Sequence, residues 1–119
     1  MKFYLILEKI FIVMVDIKEI SRELKSSMEE LYGEDFDKLI LYGSYARGDF
    51  HNESDVDFLL LLKKNEVKFG NEIFKIGVYR SNIGLKYDTK LSVFPLSSDK
   101  FYSTEKLFYQ NIKREGIEL

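Results

Sequence analysis

Residues 41–57, Leu-Tyr-Gly-Ser-Tyr-Ala-Arg-Gly-Asp-Phe-His-Asn-Glu-Ser-Asp-Val-Asp, run directly into Phe58-Leu-Leu-Leu-Leu62. The final run is apolar on both faces of a strand, so it predicts a central strand over Asp55 to Leu62, covered on both sides. Gly43 permits a tight turn after a short buried strand, Lys38 to Tyr42, and Ser44 opens a segment, Ser44 to Arg47, long enough for one helical turn. Its first amides and the Ser44 hydroxyl suit phosphate oxygens. Asp55 and Asp57 stand two apart, and period-two alternation predicts that both project from one strand face. Two carboxylates placed so can bridge hard divalent cations, with Mg2+ preferred for work on a nucleoside triphosphate. Gly-Ser alone reads as an ordinary turn and Asp-x-Asp alone as a solvated strand end. Together, at the mouth of so apolar a strand, they point to metal and nucleotide chemistry.

Outward from this stretch, Ile17, Ile20, Leu24, Met28 and Leu31 recur at helical spacing behind Asp16 and Glu19, whose separation resembles a capping box. The spacing predicts a helix over 17–32, ended near Gly33. Phe69, Ile73, Ile76, Tyr79, Ile83 and Tyr87 predict a second helix within 67–87, although Gly70, Gly77 and Gly84 lower its propensity. Those glycines, seven apart, fit either close approach to another backbone or a distorted helix. Lys90 to Leu96 reads as a strand, which Pro95 restricts to an edge, a bulge or a strand end. Ser97 or Ser98 can cap a last helix, for which Phe101, Leu107, Phe108 and Ile112 supply an apolar face up to Gly116. The fold class is α/β (α+β), a mixed sheet of three or more strands packed by helices.

At 119 residues and 45% hydrophobic content, the chain can build one core but not a second substrate domain of ordinary size. A single domain is expected over 16–119. Residues 1–15 are an N-terminal extension that fits an added strand, a helix extension or a partner surface, and Met14 offers an alternative start. Glu8 and Lys9 interrupt that apolar segment, so no membrane span is expected, and a cytoplasmic location follows. The chain has no cysteine and one histidine, His51, which excludes disulfides, thiolate metal centres and histidine-rich zinc sites within one chain. A formal net charge of -2 gives no reason to expect direct nucleic-acid binding, although residues 63–119 carry eleven basic and seven acidic side chains. Arg47 fits phosphate contact or pairing with Asp49, Glu53 or Asp55. His51 reads as a solvated or locally bonded loop residue, and Tyr42 and Tyr45 as packing or pocket walls.

The combination Gly43-Ser44 with Asp55-x-Asp57 resembles the nucleotidyltransferase superfamily that includes DNA polymerase beta. Gly43-Ser-Tyr-Ala-Arg-Gly48, Ser54-Asp-Val-Asp-Phe58 and the C-terminal Phe108-Tyr-Gln-Asn-Ile-Lys-Arg-Glu-Gly-Ile-Glu118 are similar to its minimal stand-alone members, so the resemblance spans Asp16 to Leu119. It implies that Gly43 and Ser44 contact the phosphates of ATP or another nucleoside triphosphate, and that Asp55 and Asp57 bind Mg2+ and carry catalysis. It also implies an antitoxin that adenylylates a tyrosine on a small helical toxin of the HEPN type. Active members carry a third carboxylate on the later strand, where this sequence has Ser92. A serine cannot supply that charge, and Asp88 is the nearest substitute or else decorates the preceding turn. A binding subunit that keeps the nucleotide pocket and neutralises a partner by masking it is therefore the alternative. Transfer to a small hydroxylated molecule such as an aminoglycoside is a third reading, for which the chain leaves little room. Self-association as a homodimer is also consistent with so small a domain.

Overall fold

No glycine or proline interrupts residues 2–32, and the helix runs through all of them. In the computed structural model, which describes residues 2–51 and 54–119, helix α1 spans Lys2–Tyr32. The start expected at residue 17 is thus corrected: Asp16 and Glu19 lie inside the helix, and Glu19 pairs with Arg22 at 2.6 Å instead of capping. Residues 2–15 extend the helix, so the added strand is not what they form. The expected apolar stripe is the face that packs, with Ile20, Leu24 and Met28 fully buried. Upstream of it, Ile6, Leu7, Ile12 and Met14 are exposed. No helix among the described residues is long and apolar enough to cross a membrane.

A 3-10 turn at Gly33–Asp35 leads into β1, Phe36–Tyr42. Helix α2, Ser44–Arg47, is one turn, and β2 is Val56–Leu62. Helix α3, Phe69–Tyr87, crosses over to β3, Leu91–Ser97, which lies parallel to β2 as a crossover of this length allows. Two helices come next, α4 (Ser98–Ser103) and α5 (Leu107–Glu115), where one helical face had been expected, because the backbone turns extended at Thr104. Ile117–Glu118 adds a fourth strand, β4, too short for its period to be visible in the sequence.

The sheet order is β3-β2-β1-β4, with β1 antiparallel to both β2 and β4. β2 is central and β3, with Pro95, lies at an edge, as the residues require. Leu39, Leu41, Val56, Phe58, Leu60 and Val93 face α1 and α3, while Ile40, Leu59, Leu61 and Leu96 face Phe101, Tyr109 and Ile112 of α4 and α5. The molecule is three layers deep, and the uninterrupted leucines of β2 are its middle. Their burial drives the fold at roughly 25 cal/mol per Å² of apolar surface.

A buried carboxylate ties the two helices of one layer together. Glu72 on α3 accepts a hydrogen bond from the Tyr32 hydroxyl (3.0 Å) and faces Lys64 and Lys75 at 3.7 and 3.6 Å. Burial first, and then Glu72, push the Tyr32 hydroxyl pKa up. The glycine stripe of α3 does not mediate helix contact: at Gly70 and Gly77 a Cβ would meet open space. Gly84 is tight for a local reason. A Cβ there would lie 2.9 Å from the Thr89 carbonyl, in the turn that closes α3, and Thr89 N–H donates to the Gly84 carbonyl at 2.9 Å.

Candidate active site

The antiparallel pairing of β1 with β2 and the parallel pairing of β2 with β3 bring three side chains into one row at the mouth of the sheet. Asp57 is the register partner of Tyr42 on one side and of Ser92 on the other. Side chains opposite one another in neighbouring strands share a face, so the position beside Asp57 on β3 belongs to a hydroxyl. Asp88, the alternative third carboxylate, is the exposed residue that closes α3 in a left-handed conformation (φ 48°).

Gly43 makes the turn from β1 into α2 at φ 77°, ψ -155°, a region open at low cost to glycine alone. Its missing side chain also makes room: a Cβ would stand 2.5 Å from Asp57 Oδ2. The turn is closed by the amides of Ala46 and Arg47, both donating to the Gly43 carbonyl at 3.1 Å. Ser44 follows at the first position of α2, and Gly48 ends the helix at φ 84°.

Aromatic stacking and hydrogen bonds shape the loop that returns to β2. The Tyr45 and Phe50 rings stack at 4.5 Å, and the His51 amide donates to Ser54 Oγ while the Ser54 amide donates to the His51 carbonyl, both at 2.9 Å. Arg47 pairs with Asp49 (3.1 Å) and reaches Glu115 on α5 (3.8 Å). Of its expected partners Asp49 is found, Asp55 is not among its ion pairs with described residues, and Glu53 lies outside the described residues. The Glu115 contact ties the α2 turn to the C-terminal helix.

β2 begins at Val56, one residue later than expected, with the Val56 amide donating to the Lys90 carbonyl at 2.9 Å. Asp55 stands one residue ahead of the strand. The two aspartates line different clefts. Asp57 lines one of about 380 Å³ with Gly43, Ser44, Arg47 and, on α5, Phe108, Asn111 and Glu115. Asp55 lines one of about 1060 Å³ with Tyr45 and Ser54 and with α3 and its closing turn, including Asp88. The pair still interacts: burial, and then the Asp55 charge, raise the Asp57 carboxyl pKa above its ordinary value, with Arg47 opposing. Burial and the Asp57 charge push the Tyr42 hydroxyl up to about 12.

An all-oxygen donor set carrying uncompensated negative charge fits a hard divalent cation. Among the described residues no group of three or more His, Cys, Asp or Glu side chains comes close enough to hold one alone. Asp55 and Asp57 would supply two ligands, and water and phosphate oxygens the remainder.

Phe108, Asn111 and Glu115 on one side and Arg80 and Gly84 on the other, beside the Asp88 already weighed as a third carboxylate, were not anticipated as cleft walls. Each trio follows helical spacing, so the signal was present, but only the packing of α3 and α5 shows that these faces look toward the aspartates.

Residues 21–118 match the family model described as Nucleotidyltransferase domain. Over 106 residues the chain is 37% identical to MJ0141 of Methanocaldococcus jannaschii, named "Putative protein adenylyltransferase", an alignment covering 88% of this chain and 100% of that one. Two solved structures share the fold. One is a toxin-antitoxin with AMP-PNP (TM-score 0.55, 15% identity, 80% of this chain and 68% of that one). The other is a mutant of the toxin-antitoxin MntA-HpeT (TM-score 0.53, 14% identity, 78% and 69%). The family match takes in the whole sheet and both clefts, and the chain accordingly belongs to the nucleotidyltransferase domain family, whose members are enzymes of the nucleotidyl-transferring type.

Proposed function

We propose that this protein transfers AMP from ATP to a hydroxyl group of a partner protein, and that the partner is a small helical toxin of the HEPN type silenced by the modification. The observation that carries this reading is the position of Asp55 and Asp57 between two clefts, one walled by Gly43 and Ser44 and the other open beside Asp55. A triphosphate in one cleft and an acceptor in the other can then meet at the carboxylates, where displacement at phosphorus would take place. The acceptor oxygen bonds to the α-phosphorus, the bond from that phosphorus to its bridging oxygen breaks, pyrophosphate leaves, and the hydroxyl proton passes to water. Mg2+ held by Asp55 and Asp57 would supply charge neutralisation and orientation of the phosphates. Ser44 offers its hydroxyl to the phosphates, and Arg47, anchored by Asp49 and Glu115, stands at the same cleft. The name of the Methanocaldococcus relative and the AMP-PNP bound by a structural neighbour support the donor, and the toxin-antitoxin neighbours support the partner.

A second reading is favoured by Ser92, the residue in register with Asp57: a nucleotide-binding subunit that neutralises its partner by contact, without efficient turnover. Labelled ATP, Mg2+ and the product of the neighbouring gene separate the two. Label reaching the partner, and lost in Asp55→Asn and Asp57→Asn, supports transfer. Neutralisation by both variants with no label transferred refutes the enzymatic account and leaves the masking one.

A further inference from the structure

Three of the four arginines are held by carboxylates: Arg22 by Glu19, Arg47 by Asp49 and Glu115, and Arg114 by Glu115. Arg80 has no such partner among the described residues, and it lines the larger cleft. Lys90 lines it too, likewise without an ion pair among the described residues, and its backbone is fixed beside the aspartates because its carbonyl accepts the Val56 amide. Two cations with no ion-pair partner among the described residues thus line a cleft that Asp55 also lines. Such a guanidinium matches an oxyanion in fork geometry and an ammonium adds a point charge.

Charge decides between oxyanions. A nucleic-acid backbone presents a continuous row of phosphates and is held by an extended basic track. This cleft offers two cations beside Asp55 and Asp88, too few to form such a track, and the chain as a whole has a net charge of -2. In the transferase reading above, the triphosphate of the donor occupies the smaller cleft, which Gly43 and Ser44 line. A single carboxylate carried by a polypeptide needs only the two cations present, and the cleft volume of about 1060 Å³ leaves room for the segment that bears it.

We propose that the larger cleft is the acceptor site, and that Arg80 and Lys90 select an acceptor polypeptide with an acidic side chain close to the hydroxyl presented to Asp55. This rests on the transferase reading above and adds a sequence preference to it. Arg80 and Lys90 are positioning residues, acting on the segment around the reacting oxygen.

The test uses the full chain and fluorescein-labelled tyrosine peptides flanked by Glu, by Gln or by Lys, with single-stranded oligonucleotide as a further probe. Binding is read by fluorescence anisotropy, and AMP transfer to the neighbouring gene product is read with labelled ATP. The Glu peptide should bind at least about tenfold more tightly than the Gln peptide, a difference that Arg80→Gln with Lys90→Gln abolishes and added salt weakens. Transfer to the natural partner should show a raised KM with kcat little changed in the same double variant, while Lys100→Gln behaves as wild type. Equal binding of Glu and Gln peptides, a preference that survives the double variant, or tighter binding of the oligonucleotide overturns the proposal. Transfer to the partner that ignores Arg80 and Lys90 overturns it while leaving the transferase reading standing. Glu-peptide binding that needs Arg80 and Lys90, with no transfer from ATP under any condition, retains the acidic-segment site and rejects the transferase reading instead.

Discussion

Gly43→Ala tests the link between the turn and the carboxylate. The geometry imposes two costs. A side chain at φ 77°, ψ -155° occupies a region that costs on the order of 1–3 kcal/mol for any residue but glycine. The new Cβ also lands 2.5 Å from Asp57 Oδ2, so either the turn or the carboxylate must shift. Together they predict a loss of about 2–3 kcal/mol. With an unfolding entropy of ~2.1 cal/mol/K per residue, about 0.25 kcal/mol/K for this chain, the melting temperature falls by roughly 8–12 °C. Gly48→Ala is the internal control: its φ is 84°, yet a Cβ there meets nothing within 4 Å, so it incurs the backbone cost alone. Its melting temperature should fall by about 4 °C, for a cost of about 1 kcal/mol. Thermal unfolding by circular dichroism measures both, and the Asp57→Ala background isolates the contact as a coupling energy. Equal losses at Gly43 and Gly48, or a Gly43→Ala penalty unchanged when Asp57 is truncated, would refute the claim that this glycine is required by the aspartate.

Three further outcomes are expected. Ser92→Asp places a carboxylate in register with Asp57, and should destabilise the metal-free protein while raising Mg2+ affinity and transfer rate by at least about tenfold; calorimetric titration and the labelled-ATP assay check both. Because burial and Asp55 raise the folded-state pKa of Asp57, the native state binds its proton more tightly than the unfolded chain does, and stability from this group is present at low pH and lost as pH rises through the folded value. Without divalent cation, Asp57→Asn should therefore unfold at higher urea than wild type at neutral pH and converge with it in acid, and saturating Mg2+ should reverse the neutral-pH order. Asp88→Gly relieves a left-handed residue at the end of α3 and should stabilise by about 0.5–1 kcal/mol in urea unfolding.

Local chemistry made much of the centre legible. The leucines of 58–62 demand cover on both faces, and they lie in the middle layer; Pro95 cannot sit in a central strand, and β3 is an edge. The misplaced start of α1 has a physical cause. A capping box competes with a continuing helix, and where the upstream residues are helix formers without a breaker, propagation adds a hydrogen bond per residue and wins. The split between α4 and α5 and the two-residue β4 escaped because short elements are held by tertiary contact: β4 exists through its pairing with Ile40 and Leu41.

By itself, the sequence determined which groups stand at the candidate site: a glycine turn with a serine after it, two aspartates two residues apart, and a serine on the later strand. These are matters of residue identity and short spacing, which covalent geometry transmits directly. Tertiary structure alone decided their relations. Strand register put Ser92, not Asp88, beside Asp57, the fold gave Asp55 and Asp57 neighbouring clefts to line, and the packing of α3 and α5 on opposite faces of the sheet supplied Arg80 and Glu115. Such distant residues reach the motif only through the layers that the buried leucines hold together, and no local pattern in the chain carries that distance.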